Sequence, residues 1–360
     1  MVKKKNIILL IIVILLAIPT VIFVTILGNK KDAKEKKTTK KTKVVEKKEQ
    51  KGNSPEIKLL GREDYTIVVN GVYEEYGAIA TDAEDGDISK NIKIDDSKFD
   101  VKKPGKYKIS YSITDKDGNT SKVERNMNVI EVTDPDKDGI AVLMYHYFYD
   151  DENGETGKDG NYLALSMFKQ QLNYFRDNNY YYPTMKELSK YLDGELELPS
   201  KSVIITMDDG AESNYRLAFP LAIEYKIPMT MFVVTSWTDM SGQLQQDMKN
   251  TGYMYFNSHT HNMHGGGCSG MGHGALIQCI DYNQGVQDMK TSKELLGTGD
   301  SMAYPCGDYN DHAISILKEA GYTLAFSTEF GKVKRGMNKL ALPRVRVSDG
   351  NSLNYFIGCL

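Results

Sequence analysis

The most constraining stretch of the chain is Val203-Ile-Ile-Thr-Met, a run of apolar and β-branched residues that stops at Asp208-Asp209-Gly210. The run is too short for a helix, and both of its alternating faces are apolar, which is the pattern of a strand buried on both sides. Such a strand needs helices above and below it, so the chain around it is expected to be α/β with a parallel sheet or barrel. Folds of this kind deliver their chemistry at the C-terminal ends of the strands. Two adjacent carboxylates at such an end repel each other. A divalent cation resolves this by taking one as a ligand and leaving the other as a base. Asp-Asp-Gly is also ordinary turn chemistry, so the pair needs other ligands before it means a site.

The histidines supply them. Ser258-His-Thr-His-Asn-Met-His places three imidazoles in six residues just past a second strand, Tyr253 to Ser258, and His146 ends a third, Ile140 to Tyr145. Neutral imidazoles with a carboxylate suit zinc, and catalytic zinc commonly keeps three protein ligands and an open position. Apolar runs at Met229–Thr235, Met302–Tyr304, Leu324–Ser327 and Leu340–Val347 alternate with helical faces. These include Phe168/Leu172/Phe175 after a Ser166 cap, Met185–Leu192, 214–225, 284–296 and 312–320. The alternation predicts a βα repeat over 138–360.

The chain ahead of it divides into three parts. Residues 1–27 carry Lys3-Lys4-Lys5 and then an uncharged apolar run from Ile7 to Leu27, long enough to span a bilayer and without an Ala-x-Ala exit. This predicts an uncleaved signal-anchor. Residues 28–54 form a lysine-rich linker too polar to fold; eleven lysines against four acids over 28–52 give it a net +7. With a chain net charge of -3, residues 53–360 are left at -13. An acidic folded part argues against a nucleic-acid partner. The lysine balance around the apolar run nominally places the enzyme inside the cell. The expectation is nevertheless a single-pass membrane protein with its catalytic domain outside, for which the domains that follow give the reason. Four cysteines, without a C-x-x-C pair, allow one or two disulfides, with Cys268 and Cys279 the nearest pair.

Residues 55–133 read as short alternating strands punctuated by Asp85-Gly86, Pro104-Gly105 and Asp117-Gly118, the pattern of a small β-sandwich. Gly77-Ala-Ile-Ala-Thr-Asp-Ala-Glu-Asp-Gly-Asp-Ile, with Lys103-Pro-Gly-Lys-Tyr and Thr114-Asp-Lys-Asp-Gly-Asn-Thr, resembles the bacterial immunoglobulin-like surface domains. The acids Asp82, Glu84, Asp85 and Asp87 read as solvated turn residues, with a calcium site as the alternative.

The second region resembles the polysaccharide deacetylase (NodB-homology) family of carbohydrate esterases. Thr206-Met-Asp-Asp-Gly is similar to its T-F-D-D-G motif, His259 to His264 to its second motif, and Ala303-Tyr-Pro-Cys-Gly to its third. Val142-Leu-Met-Tyr-His and Leu342-Pro-Arg-Val-Arg-Val are similar to the opening and closing strands of the branch that deacetylates poly-N-acetylglucosamine. The resemblance implies a deformed (β/α) barrel, with Asp209, His259 and His264 as ligands of a divalent metal, zinc first. It implies Asp208 as general base, and Tyr304, Pro305 and Cys306 at the substrate, the Cys306 N–H serving the oxyanion. Three departures follow. The histidine spacing is one residue longer than in many members, which leaves His261 as an alternative ligand. The arginine that opens the third motif is replaced by Met302-Ala303, which nominates Arg344 or Arg346 for its task. The late histidine that acts as general acid is absent, which nominates His146. Trp237 is open between a sugar platform and a packed anchor.

The function implied is N-deacetylation of a cell-surface polysaccharide, peptidoglycan first and poly-N-acetylglucosamine second. A wall-binding protein with a weakened deacetylase fold is the reading from another class, and xylan esterase a third.

Overall fold

The computed structural model describes residues 52–297 and 299–360. The signal-anchor expected at 1–27 lies outside them, as does the linker of 28–54 up to residue 51. Among the described residues no helix is long and apolar enough to cross a membrane.

The N-terminal part is a two-sheet β domain. Strands β1 (Glu56–Leu59), β2 (Asp64–Val68), β3 (Ala78–Asp82), β4 (Gly86–Asp87), β5 (Lys93–Asp95), β6 (Gly105–Thr114) and β7 (Thr120–Ile130) form sheets ordered β1-β3-β4 and β2-β7-β6-β5. Alternation buries Ile109 and Tyr111 on β6 against Met127 on β7, and Ile113 further along β6 against Ala80 and Ile88. Arg125 is fully buried here; it donates to the Tyr73 hydroxyl and pairs with Glu75 at 3.1 Å. The turn acids are used locally. Asp82 accepts the Glu84 and Asp85 N–H groups, Asp85 pairs with Lys116, and Asp87 accepts from Ser89.

The second part is a closed barrel. Its strands are β8 (Ala141–Tyr145), β11 (Val203–Met207), β12 (Met229–Val233), β13 (Met254–Ser258), β14 (Ser301–Ala303), β15 (Leu324–Phe330) and β16 (Leu342–Arg346), all parallel, in the order β11-β12-β13-β14-β15-β16-β8. Two short strands, β9 (Tyr147–Tyr149) and β10 (Tyr162–Ala164), pair beside it. Helices α1 (Leu165–Asp177), α2 (Met185–Leu192), α3 (Phe219–Tyr225), α4 (Gln243–Asn250), α5 (Tyr282–Leu296), α6 (Asp311–Glu319) and α7 (Leu353–Gly358) complete the fold. On β11, Val203, Ile205 and Met207 join the outer core with Phe168, Leu172 and Phe175 of α1, whereas Ile204 joins the inner core with Val142, Phe232 and Phe326. The two-residue period therefore sends Asp208 to the inner side, above Ile204 and Thr206.

Caps fix the helix ends. Thr184 and Glu187 close a capping box on α2, Asp281 caps α5, and Gly297 ends it in the left-handed region. Ser166 is a correction. Its N–H and hydroxyl bind Asp151 at 3.0 and 2.5 Å, and α1 starts at Ala164 without a side-chain cap. The helix expected over 214–225 begins as a π-turn, Asn214–Ala218, before α3.

The two parts share a core. Val68 of β2 is fully buried with Ile140, Val142 and Tyr181 at the strand-start end of the barrel, and Ile130 packs against them. Buried Glu187 accepts the Val72 N–H and the Tyr181 hydroxyl, and the Tyr181 hydroxyl also accepts from the Val68 N–H. At the opposite end of the β domain, Gly52 lies against Glu84 and Asp117 of the β6–β7 turn.

Candidate metal centre and active site

Asp209, His259 and His264 come together at the strand-end face of the barrel. One ligand atom from each lies within 4.8 Å of the others. The Asp209 Oδ1 is 3.3 Å from His259 Nε2 and 3.1 Å from His264 Nε2. Local backbone makes this convergence. Asp209 and Gly210 both take positive φ, 72° and 71°, so the chain turns sharply as soon as β11 ends. Thr260 does the same after β13, with φ 71°. The turn from His259 to His264 is held by Asp288 of α5, whose two oxygens accept the His261 and Asn262 N–H groups at 2.8 Å each. Burial of Asp288 raises its pKa, and those two hydrogen bonds work against the rise.

The donor set fits a divalent metal. His259 is buried, and its Nδ1 is committed to the Ala303 carbonyl at 2.7 Å, which leaves Nε2 to point at Asp209. This orientation of an imidazole by a carbonyl behind it is what a metal ligand requires. Burial opposes the charge on Asp209, but hydrogen bonds from His259, His264 and Tyr147 outweigh it and hold the carboxyl well below the usual range. His261, the alternative ligand, turns instead to the Thr235 hydroxyl at 3.1 Å, and His273 pairs with Asp308 at 3.0 Å.

Asp208 is buried and faces Arg344 in a two-pronged ion pair, with both N···O distances 2.7 Å. Arg344 is itself fully buried; its Nε donates to the Ser327 carbonyl and Nη1 to the Thr206 hydroxyl. Burial pushes the Asp208 carboxyl up, and the guanidinium more than reverses it, so the group is ionised well into acid. Arg346 points elsewhere, to Asn161. His146 follows β8 at the same face. Burial lowers its pKa, and the charges of Asp208 and Asp209 pull partly the other way.

The third motif is divided by the structure. Tyr304 is fully buried, stacked on Tyr309 at 5.2 Å with its hydroxyl on the Leu340 carbonyl, and Pro305 is buried beside it. Both side chains are turned into the core at the end of β14, so what they leave open at the strand-end face is the backbone of the turn. Cys306 is exposed, with φ 56°, and the turn is closed by the Gly307 and Asp308 N–H groups, which donate to the Tyr304 and Pro305 carbonyls. The Cys306 N–H takes no part in that closure. Trp237 is 61% exposed with its ring 4.8 Å from that of His264, so it is not a packed anchor. The glycine-rich segment after His264 is stapled by a disulfide between Cys268 and Cys279.

Sequence reasoning missed Tyr147, whose hydroxyl donates to Asp209 Oδ2. A tyrosine beside a histidine carries no signal of its own. A cavity of about 920 Å³ lies between the β domain and the strand-start end of the barrel, and none of these residues lines it. Its lining groups are largely paired with one another, such as Lys293 with Asp300 and Lys186 with Glu74.

Residues 57–129 match the family described as bacterial surface protein, Ig-like domain, and residues 195–325 match the polysaccharide deacetylase family. A poly-beta-1,6-N-acetyl-D-glucosamine N-deacetylase of Staphylococcus aureus is 29% identical over 201 residues, covering 52% of this chain and 68% of the relative. A Streptococcus pyogenes deacetylase, PplD in complex with acetate, is similar in structure with a TM-score of 0.52 and 25% identity, over 61% of this chain and 97% of that one. IcaB from Ammonifex degensii gives 0.51 and 27%, over 60% and 95%.

Proposed function

A polysaccharide deacetylase domain with an immunoglobulin-like surface domain upstream is what this chain carries, and from that premise we propose that it removes N-acetyl groups from poly-β-1,6-N-acetylglucosamine. The relatives named for that polymer support the choice, whereas nothing of the kind speaks for peptidoglycan, the first expectation from sequence. The observation that carries the reaction is the Asp209, His259 and His264 cluster beside an arginine-held Asp208.

The metal we assign is zinc, held by those three side chains. When bound, it supplies a Lewis acid that polarises the acetamide carbonyl and makes water a nucleophile near neutral pH. The chain's own groups do the rest. Asp208 stays ionised through Arg344, and a carboxylate has lone pairs to spare beyond the two that the guanidinium occupies. It accepts the proton of the attacking water as general base. The Cys306 N–H, outside the bonds that close its turn, donates to the developing oxyanion. His146 delivers a proton to the leaving amine, and its lowered pKa makes it a stronger acid than free imidazole once protonated. Trp237 offers an open aromatic face to a pyranose ring beside His264. The reading as an inactive wall binder loses one of its two motives, the missing arginine, because Arg344 pairs with Asp208; the absent late histidine is the other, and His146 is our answer to it.

The setting we propose is the outer face of a cell membrane, with the apolar run at 7–27 as anchor. A disulfide with one exposed partner, Cys279, suits an oxidising compartment. The test is acetate release by zinc-loaded protein from poly-β-1,6-N-acetylglucosamine oligomers and from peptidoglycan. Faster release from the oligomers is expected. The reverse order would return peptidoglycan as substrate, and no release from either with zinc bound would end the enzymatic reading.

A further inference from the structure

We propose that Tyr147 is a positioning residue of the metal centre: its hydroxyl claims one oxygen of Asp209 and so fixes that carboxylate as a one-oxygen ligand. The inference rests on the metal-centre reading above. The two oxygens of Asp209 are sorted by their neighbours. Oδ2 accepts the Tyr147 hydroxyl, whereas Oδ1 faces both imidazoles, at 3.3 and 3.1 Å. A carboxylate free to offer both oxygens takes two coordination positions. Held in this way it takes one, and positions remain for a water and a substrate carbonyl, as a catalytic site requires.

Tyr147 is built to hold this pose. Its N–H donates to the Asn161 carbonyl at 3.1 Å, and it sits at the start of β9, in register with Tyr162 of β10. Its ring lies 4.9 Å from that of Tyr162, which limits rotation away from the site. Asp209 needs such help. It stands at positive φ directly after its strand, and its carboxylate makes contacts only to His259, His264 and Tyr147 among the described residues. With Tyr147 absent, Asp209 would be held only from the imidazole side, through Oδ1, and Oδ2 would be free to turn to the metal. Hydrogen-bond partners of this kind typically alter metal affinity about 10–100-fold when removed.

The test uses the full chain with zinc. Competition with a chromophoric chelator is expected to show Tyr147→Phe binding about 10–100-fold more weakly than wild type. Tyr149→Phe, which loses a hydroxyl on the same strand that bonds Asp349, should bind unchanged. Asp209→Asn should fail to bind. In the cobalt-substituted protein, Tyr147→Phe should also weaken the visible absorption as the freed oxygen raises the coordination number. Either change in Tyr147→Phe carries the proposal. Wild-type affinity together with an unchanged cobalt spectrum would overturn it while leaving the metal centre standing. Full zinc binding by Asp209→Asn would overturn the metal centre itself, and the proposal with it.

Discussion

Arg344 and Asp208 are each buried and each the other's main charged partner, so removing one strands the other. Breaking a buried pair from one side costs about 3–5 kcal/mol. Arg344→Met should therefore lower unfolding stability by about that amount in a denaturant titration, and an unchanged midpoint would contradict the pairing. His146 makes the opposite kind of prediction. It is half-buried and, among the described residues, no hydrogen bond fixes its ring, so His146→Ala should keep fold and zinc but lose about 10²–10⁴-fold in turnover. Normal deacetylation by that variant would remove it from the reaction. Asp208, Asp209 and a histidine cluster were legible in the sequence as groups at strand ends, but the choice of His259 and His264 over His261 came only from the resemblance. Arg344 was legible only as one of two candidates, since an alternating strand does not say which arginine lies below a partner five strands away in sequence. The burial of the Tyr304 ring was hidden for the same reason: its motif marks the turn, not where the ring points.

At the scale of elements, the ligand turn depends on α5. Asp288 accepts two backbone N–H groups from the turn, and Asp288→Ala leaves both without an acceptor. A loss of about 1–3 kcal/mol in stability is expected, with weaker zinc binding in the same chelator competition. Unaltered stability and affinity would mean that the turn holds itself. The disulfide ties down the segment that follows, across a separation of 11 residues. Cys268→Ser with Cys279→Ser should cost about 2–4 kcal/mol, read as a denaturation midpoint that no longer responds to reductant. The barrel strands were plain in the sequence because they are apolar on both faces. Helix α4 was not, for only Met248 of its residues is buried and the rest of Gln243–Asn250 presents no apolar stripe. The π-turn at 214–218 was equally hidden, because its residues suit an α-helix.

For the whole molecule, Glu187 is the joint. Its carboxyl, on α2, accepts from Val72 of the β domain 115 residues away, a contact that no local pattern announces. Burial raises the Glu187 pKa, against hydrogen bonds that favour the ionised form. A carboxyl whose folded pKa is raised binds its proton more tightly when folded. Its contribution to stability is therefore full below the ordinary glutamate value and lost as pH rises through the raised one. Relative to Glu187→Gln, wild type should lose denaturant stability as pH climbs across that window; parallel profiles would show that the group does not titrate there. Both domains could be read from sequence, but not that they share the core around Val68 and Ile130. That shared core has a consequence for reach. Strand β7 runs from the turn beside Gly52 down to the barrel, and eleven residues at about 3.4 Å each make it a strut of ~35 Å. The barrel strands then lead on to the face that carries Asp209, His259 and His264 at their far ends. The β domain is therefore a built-in spacer: a stiff strand pair, rather than loose chain, separates the turn beside Gly52 from the barrel that holds the candidate metal centre.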